Sequence, residues 1–167
     1  TDLDIRVAPG TSEEKIALFA SMFCTRRDVY PRFWENQNTG KKGYSPACET
    51  VWENGRRLKP TEIFQKYGRR KFQYLSEDVI KAHLMGHQTV GTYAIRTDDS
   101  CIFISADFDS EGWQEEASAY RDEASALGIS ALLEISRSGN GAHVWIFFSE
   151  PVPAFLARRL GSLILGR

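Results

Sequence analysis

The chain has 167 residues, 42% of them hydrophobic and 26% charged, with four tryptophans, which is enough apolar material for one domain or a compact core with a small appendage and too much for a disordered chain. No apolar run reaches the roughly 18 residues a membrane span needs, so no membrane partner is expected. A net charge of −1 excludes a global attraction to nucleic acid, and any such attraction must be local.

The opening "TDLDIRVAPG" lacks the basic and apolar regions of a secretory signal, and a cytoplasmic location is expected. In "TSEEKIALFASMF", Thr11 with Glu14 three residues on forms a capping-box pattern, and Ile16, Phe19, Ala20 and Phe23 recur at helical spacing, predicting a helix over about 12–24. "RRDVYPRFWENQNTGKKGYSPAC" mixes aromatics, cations, Pro and Gly without a sustained period and reads as loops and short elements. Cys24, Cys48 and Cys101 are odd in number and far apart, a pattern of reduced thiols rather than of a disulfide framework or a four-cysteine zinc site.

Arg56, Arg57, Lys59, Lys66, Arg69, Arg70 and Lys71 share one short stretch with a single acid, Glu62, and are interleaved with Phe64, Tyr67, Phe72 and Tyr74. Interleaving of this kind suits a surface that tracks a phosphate backbone and stacks bases. It equally suits a solvated helix or loop whose rings pack inward. "LSEDVIKAHLMGH" predicts a second helix, with Ser76 as N-cap and Gly86 as the stop. His83 and His87 on or beside it lack a third ligand nearby and read as helix surface.

Then the pattern changes. "TVGTYAIRT", the turn-like "DDS" and "CIFISADFD" predict a hairpin, and "SEGWQEEASAYRDEASALG" a helix ended by Gly128. "SALLEISRS", "GNGA" and "HVWIFFSE" predict a strand, a glycine turn and a strand. The last helix, "AFLARRLGSLIL", presents Leu156, Leu160, Leu163 and Ile164 as its expected buried stripe. The order strand, helix, strand, strand, helix suits an α+β domain of RRM-like or polymerase-palm type, an antiparallel sheet with helices on one face. It stops one strand short of a full ferredoxin-like unit. The expected organisation is a smaller N-terminal α/β module with helical and irregular parts and a basic patch over 1–88, and an RRM-like core over 89–167 lacking its last strand, the two packed as one compact unit.

Alternation along "CIFISADFDS" places Ile102, Ile104, Ala106 and Phe108 on one face and Ser105, Asp107 and Asp109 on the other. Two carboxylates side by side repel each other without a counter-ion, and a divalent cation is the simplest partner. Asp-x-Asp alone also fits a solvated strand end with a capping acid. Downstream, Ser138 to Ala142 form a glycine-rich turn, with Gly139 and Gly141 allowing close approach of an anion and Arg137, Ser138 and His143 able to donate to phosphate oxygens. The turn by itself also fits an ordinary hairpin. Together, an acid pair and a phosphate cradle at one sheet edge are the minimum equipment for nucleotidyl transfer.

The run "GTYAIRTDDSCIFISADFD", Trp113, and "LEISRSGNGAHVWIFFSEPVPAFLARRLG" resemble the catalytic core of archaeo-eukaryotic primases, closest to the primase-polymerase domains of TOTE-type conflict systems and mobile elements. "RFWENQNTGKKGYSPAC" is similar to their N-terminal portion. The resemblance implies a template-dependent DNA primase-polymerase using Mg²⁺ or Mn²⁺, with Asp107 and Asp109 as metal-binding acids. It also implies Gly141-Ala142-His143 as the small-x-His motif that contacts the triphosphate, with Ser138 in the adjoining turn. Its implied partners are nucleoside triphosphates, a single-stranded DNA template with its primer, and a helicase or other replication domain. Arg32, Lys41, Lys42, Arg69, Arg70 and Lys71 are the expected template contacts. Trp34, beside Arg32 and Lys41, is the tryptophan best placed for base stacking; the other three read as packing.

Two departures from the family pattern stand out. Cys48 is not followed by the further cysteines that suit zinc in relatives, so no structural zinc is expected. The third motif acid has no counterpart before Arg167, which leaves a fragment of a longer polymerase, a third ligand from elsewhere, or a form that binds nucleotides without turnover. The alternatives are therefore a non-catalytic nucleotide- or single-strand-binding module and another palm-type metal enzyme such as a nucleotide cyclase. A replication-initiator nuclease fits less well, because no His-x-His occurs.

Overall fold

A computed structural model describes residues 9–23 and 25–166, so the thiol expected at Cys24 and most of the opening segment lie outside the described residues. The described chain is mixed α/β, with five helices and small antiparallel sheets, and it divides into two compact units, one ending at Tyr93 and one beginning at Ala94.

The first unit opens with α1 (Ser12–Phe23), which begins where its cap predicts. Thr11 Oγ1 accepts from the Glu14 N–H (3.1 Å), and the Glu14 carboxylate accepts from the N–H groups of Thr11 (3.0 Å) and Gly10 (2.9 Å). The Thr11 and Gly10 N–H groups also hold the Glu14 carboxyl below its ordinary range.

Within the stretch expected to be loops and short elements lies an antiparallel hairpin, β1 (Pro31–Glu35) with β2 (Lys42–Pro46). Asn36 Oδ1 closes its turn by accepting from the N–H groups of Asn38 and Thr39. Pro31, Gly43 and Pro46 break the period-2 signal, yet the two prolines face each other at the end of the ladder, where a missing donor is tolerated. A second, shorter hairpin joins β3 (Trp52–Glu53) to β4 (Arg56–Arg57) through Asn54 (φ 49°) and Gly55 (φ 73°), the two positive φ values of a type I′ turn. Helix α2 (Pro60–Tyr67) follows and ends at Gly68 in the left-handed region. Helix α3 (Glu77–Leu84) has the expected Ser76 cap, whose hydroxyl accepts from Val79 N–H. The core of this unit joins Ala20, Tyr30, Ala47, Leu75 and Ile80.

One expected pairing does not form. "TVGTYAIRT" is not the first strand of a hairpin with "CIFISADFD": Phe33 N–H donates to Thr89 O and Gly91 N–H to Pro31 O, both at 2.9 Å, so its first residues bridge to β1 inside the first unit. Only the turn itself survives, with Arg96 N–H on Ser100 O (2.8 Å) and Asp98 Oδ1 accepting from the Ser100 hydroxyl (2.6 Å).

The second unit runs β5 (Ser100–Phe108), α4 (Trp113–Ala126), β6 (Leu132–Ile135), β7 (Ala142–Pro153) and α5 (Ala154–Leu165). Its sheet is antiparallel in the order β5-β7-β6. Ile104, Ala106 and Phe108 of β5, Leu133 of β6, and Val144 and Ile146 of β7 form a core with Ala117, Tyr120 and Ala124 of α4 and Leu160 and Ile164 of α5. A register shift between Cys101 and Phe103 interrupts the alternation, so the regular face begins at Ile104 rather than Ile102.

The buried stripe of α5 also differs from expectation. Ala157 and Ile164 are buried, whereas Leu156 and Leu163 are exposed. The face turned to the sheet carries Ala157, Gly161 and Ile164, so Leu156 and Leu163 fall outside it. A Cβ at Gly161 would meet Ile104 Cδ1 and Tyr120 Oη at 3.5 Å, ordinary van der Waals contact. Gly161→Ala is therefore expected to stabilise the protein by about 0.5–1 kcal/mol through helix propensity, read as a raised urea midpoint.

Candidate active site

Antiparallel register is what assembles the site. Phe108 pairs with Ala142 and Asp107 with His143 across β5 and β7, while Glu134 pairs with His143 across β6 and β7. Three neighbouring strands thus place Asp107, His143 and Glu134 in one row, on the face opposite the helix-covered core. His143 Nε2 lies 3.5 Å from Asp107 Oδ1, and its Nδ1 lies 3.6 Å from Glu134 Oε2. The second distance is too long for a hydrogen bond, and Nδ1 is buried without a hydrogen-bond partner. Glu134 Oε2 instead accepts from Trp145 Nε1–H at 2.8 Å. Asp107 keeps a side chain 67% exposed, open to a ligand. Asp109 is also exposed and lies just past the end of β5.

Gly141 brings the acid pair and the turn together. A Cβ there would stand 2.8 Å from the carbonyl oxygen of Phe108 and 3.5 Å from Asp109 Cα, so the backbone after the turn runs directly against the backbone between the two acids. Only glycine permits that approach. The turn is largely self-bonded: Ser136 N–H donates to Gly141 O and Gly139 N–H to Ser136 O, both at 2.8 Å. Asn140 N–H faces Ser138 Oγ (3.3 Å), which also pairs with Ser136 Oγ (3.1 Å). Gly139, at φ 75°, turns the chain, and Arg137 and Ser138 at the tip are exposed.

Sequence reasoning missed Glu134. Counting back from the turn would have found it, because a ladder closed at Ser136 and Gly141 must set Glu134 opposite His143. Among the described residues, no group of three or more His, Cys, Asp or Glu side chains is placed to hold a metal ion. Cys48 and Cys101 are free thiols, and burial pushes the Cys101 thiol up.

Residues 14–167 match the family model of the archaeo-eukaryotic primase domain of the TOTE conflict system. The chain belongs to this family. No curated protein matches it. Primase-type domains are nucleotidyltransferase-like and handle nucleotides and nucleic acid in general. No helix of the described primase domain is long and apolar enough to cross a membrane.

The candidate template contacts of the primase domain all lie in its first unit. Arg32 is half-buried in β1, opposite Ser45 and bridged to Val90, whereas Lys41 and Lys42 are exposed at the start of β2. Trp34 is 43% exposed with its ring over Gly43. Trp52, expected to pack, is 66% exposed. His83 is not helix surface: it is half-buried, with Nδ1 3.4 Å from Val90 N–H, and its ring lies against Phe19.

Within the basic stretch, Arg56 forms a forked pair with Glu62, Lys66 pairs with Glu53, and Lys71 lies 4.0 Å from Glu49. The Arg56 guanidinium, then the Lys59 N–H, hold the Glu62 carboxyl below its usual range. Arg69 and Arg70 are exposed. Phe64, Tyr67, Phe72 and Tyr74 do not pack inward; all four are at least 40% exposed.

Proposed function

We propose that this primase domain is a template-dependent nucleotidyltransferase, a DNA primase-polymerase, in which Asp107 and Asp109 are the catalytic carboxylates and the Ser136–Gly141 turn with His143 seats the incoming triphosphate. The observation that carries this reading is the contact at Gly141, where the missing Cβ lets the turn lie against the backbone between the two acids. The sheet order β5-β7-β6 with its interleaved helices supports an RRM-like or palm arrangement, in which such acids stand at a strand end.

Asp107 and Asp109 fit Mg²⁺ or Mn²⁺. Both are exposed hard-oxygen donors, and magnesium is ordinarily held by one or two carboxylates, with phosphate oxygens and water completing its shell. When bound, such an ion neutralises phosphate charge and lowers the pKa of the attacking 3′-hydroxyl. The chain's own groups do the positioning. Arg137 offers a planar fork to phosphate oxygens, Ser138 a hydroxyl, and His143 a ring N–H beside Asp107. Arg32, Lys41, Lys42, Arg69, Arg70 and Lys71 are assigned to the template backbone, and a helicase or other replication domain is the proposed partner.

Primer extension on a primed single-stranded template, with Mg²⁺ and with Mn²⁺, tests the reading. Template-dependent chain growth is the expected result, and nucleotide binding without incorporation in either ion overturns it. That second outcome belongs to a non-catalytic nucleotide- or single-strand-binding module, a reading favoured by the lack of a third acid beside the pair among the described residues. His143→Ala is expected to weaken triphosphate binding about tenfold or more, the loss of one hydrogen bond to a charged group. Titration of a deoxynucleoside triphosphate by calorimetry checks it, and equal affinity removes His143 from the site.

A further inference from the structure

Four rings in the first unit are exposed, Phe64, Tyr67, Phe72 and Tyr74, outside the cluster of Ala20, Tyr30, Ala47, Leu75 and Ile80. Phe64 and Tyr67 lie three apart on α2 and share a helix face, with Ile63 buried next to them at 3% exposure. Phe72 and Tyr74 lie two apart on an extended segment held by hydrogen bonds from Glu49 N–H to Lys71 O and from Gln73 N–H to Ala47 O. Alternation puts these two rings on one side, while Gln73, which accepts from the Tyr30 hydroxyl, and buried Leu75 occupy the other. The four rings stay 40–59% exposed, so each leaves ring surface open, and Lys66 Nζ stands 5.8 Å from the Tyr67 ring centroid.

The charges around them are sorted in the same way. Arg56 and Lys66 are neutralised by Glu62 and Glu53. Arg69 and Arg70, which follow the left-handed Gly68 and stand between the two ring pairs in the chain, are exposed and have no ion-pair partner among the described residues. A surface of flat, amphipathic rings broken by unneutralised guanidinium groups is a poor seat for an apolar protein helix. It is complementary to a polyanion whose bases are free to stack.

We infer that the exposed ring pairs Phe64–Tyr67 and Phe72–Tyr74, with Arg69 and Arg70 between them in the chain, are a stacking site for single-stranded nucleic acid. The rings take bases of any identity and the arginines take the phosphates, so binding is independent of sequence and sensitive to salt. A duplex keeps its base faces covered and is excluded. The inference deepens the proposed polymerase function and rests on it for the choice of a single strand as occupant.

Fluorescence anisotropy of the whole chain with a labelled oligo(dT) of about 20 nucleotides tests it, with a duplex of equal length as comparator. The single strand is expected to bind more tightly than the duplex. Phe72→Leu with Tyr74→Leu keeps apolar bulk and loses the ring faces, and should weaken binding at least about tenfold, whereas Phe72→Tyr with Tyr74→Phe should retain it. Arg69→Gln with Arg70→Gln should flatten the slope of log K against log salt by about 1.4.

Unchanged affinity in the leucine variant, an unchanged slope in the glutamine variant, or equal duplex binding overturns the inference. So does a dimer in sedimentation that forms without oligonucleotide and dissolves in the leucine variant, because a second copy would then be the occupant. Normal primer extension with ring-independent oligonucleotide binding defeats this surface and leaves the polymerase reading standing. Ring-dependent binding without any incorporation does the reverse.

Discussion

Asp107→Asn combined with Asp109→Asn should abolish nucleotide incorporation and leave the fold intact. The amides keep the shape of the acids and remove both negative charges, so, under the proposed function, a divalent cation would lose the carboxylates that would hold it and the phosphoryl group the cation that would neutralise it. Removing a single electrostatic stabiliser from an enzyme site commonly costs about 10²–10³-fold in rate, and here both anionic ligands go at once. The fold should survive because neither side chain is in the core. Asp107 Oδ1 lies 3.5 Å from His143 Nε2, a partly exposed contact worth about 0–1 kcal/mol. Primer extension with thermal unfolding followed by circular dichroism reads both halves. An unchanged rate removes the proposed mechanism, and a lost fold would mean that the acids hold the sheet rather than a ligand.

Gly141→Ala is the second large effect, and it acts through the backbone. The added methyl would stand 2.8 Å from the Phe108 carbonyl, a main-chain atom that no rotamer change can move aside. The end of β5 or the start of β7 must shift, at a cost of about 1–3 kcal/mol for overpacking, and the acid pair moves relative to the turn. Stability and triphosphate affinity should therefore fall together. Gly139→Ala separates the two effects, because space around Gly139 is open and only its φ of 75° resists a side chain. That variant should lose about 1–2 kcal/mol of stability without displacing β5. Urea unfolding with nucleotide titration of both variants is the measurement. A Gly141→Ala protein with wild-type stability and affinity would refute the close approach on which the site depends.

Legibility in the sequence varied with the range of the interactions involved. The caps of α1 and α3, the ends of α2 and α4 and the β6–β7 turn are local devices, each set by a few neighbouring residues. The Asn54-Gly55 turn is local in the same way. The acid pair and the glycine turn were legible as separate chemical signals, and Glu134 only once the turn was taken to close a ladder, which sets it opposite His143.

Pattern and local propensity alone determined where most helices and strands lie, which face of the second sheet packs against the helices, and which side chains are candidates for phosphate and metal contacts. Tertiary structure decided what those elements pair with. "TVGTYAIRT" has strand character whichever partner it takes, and its first residues bridge to β1 rather than extending β5, because backbone donors and acceptors are identical along any strand and only the surrounding packing selects among them. The same holds for α5, where Ala157 and Ile164 face the core and Leu156 and Leu163 do not: which stripe is buried follows from how the helix lies on the sheet, which hydrophobicity alone does not fix.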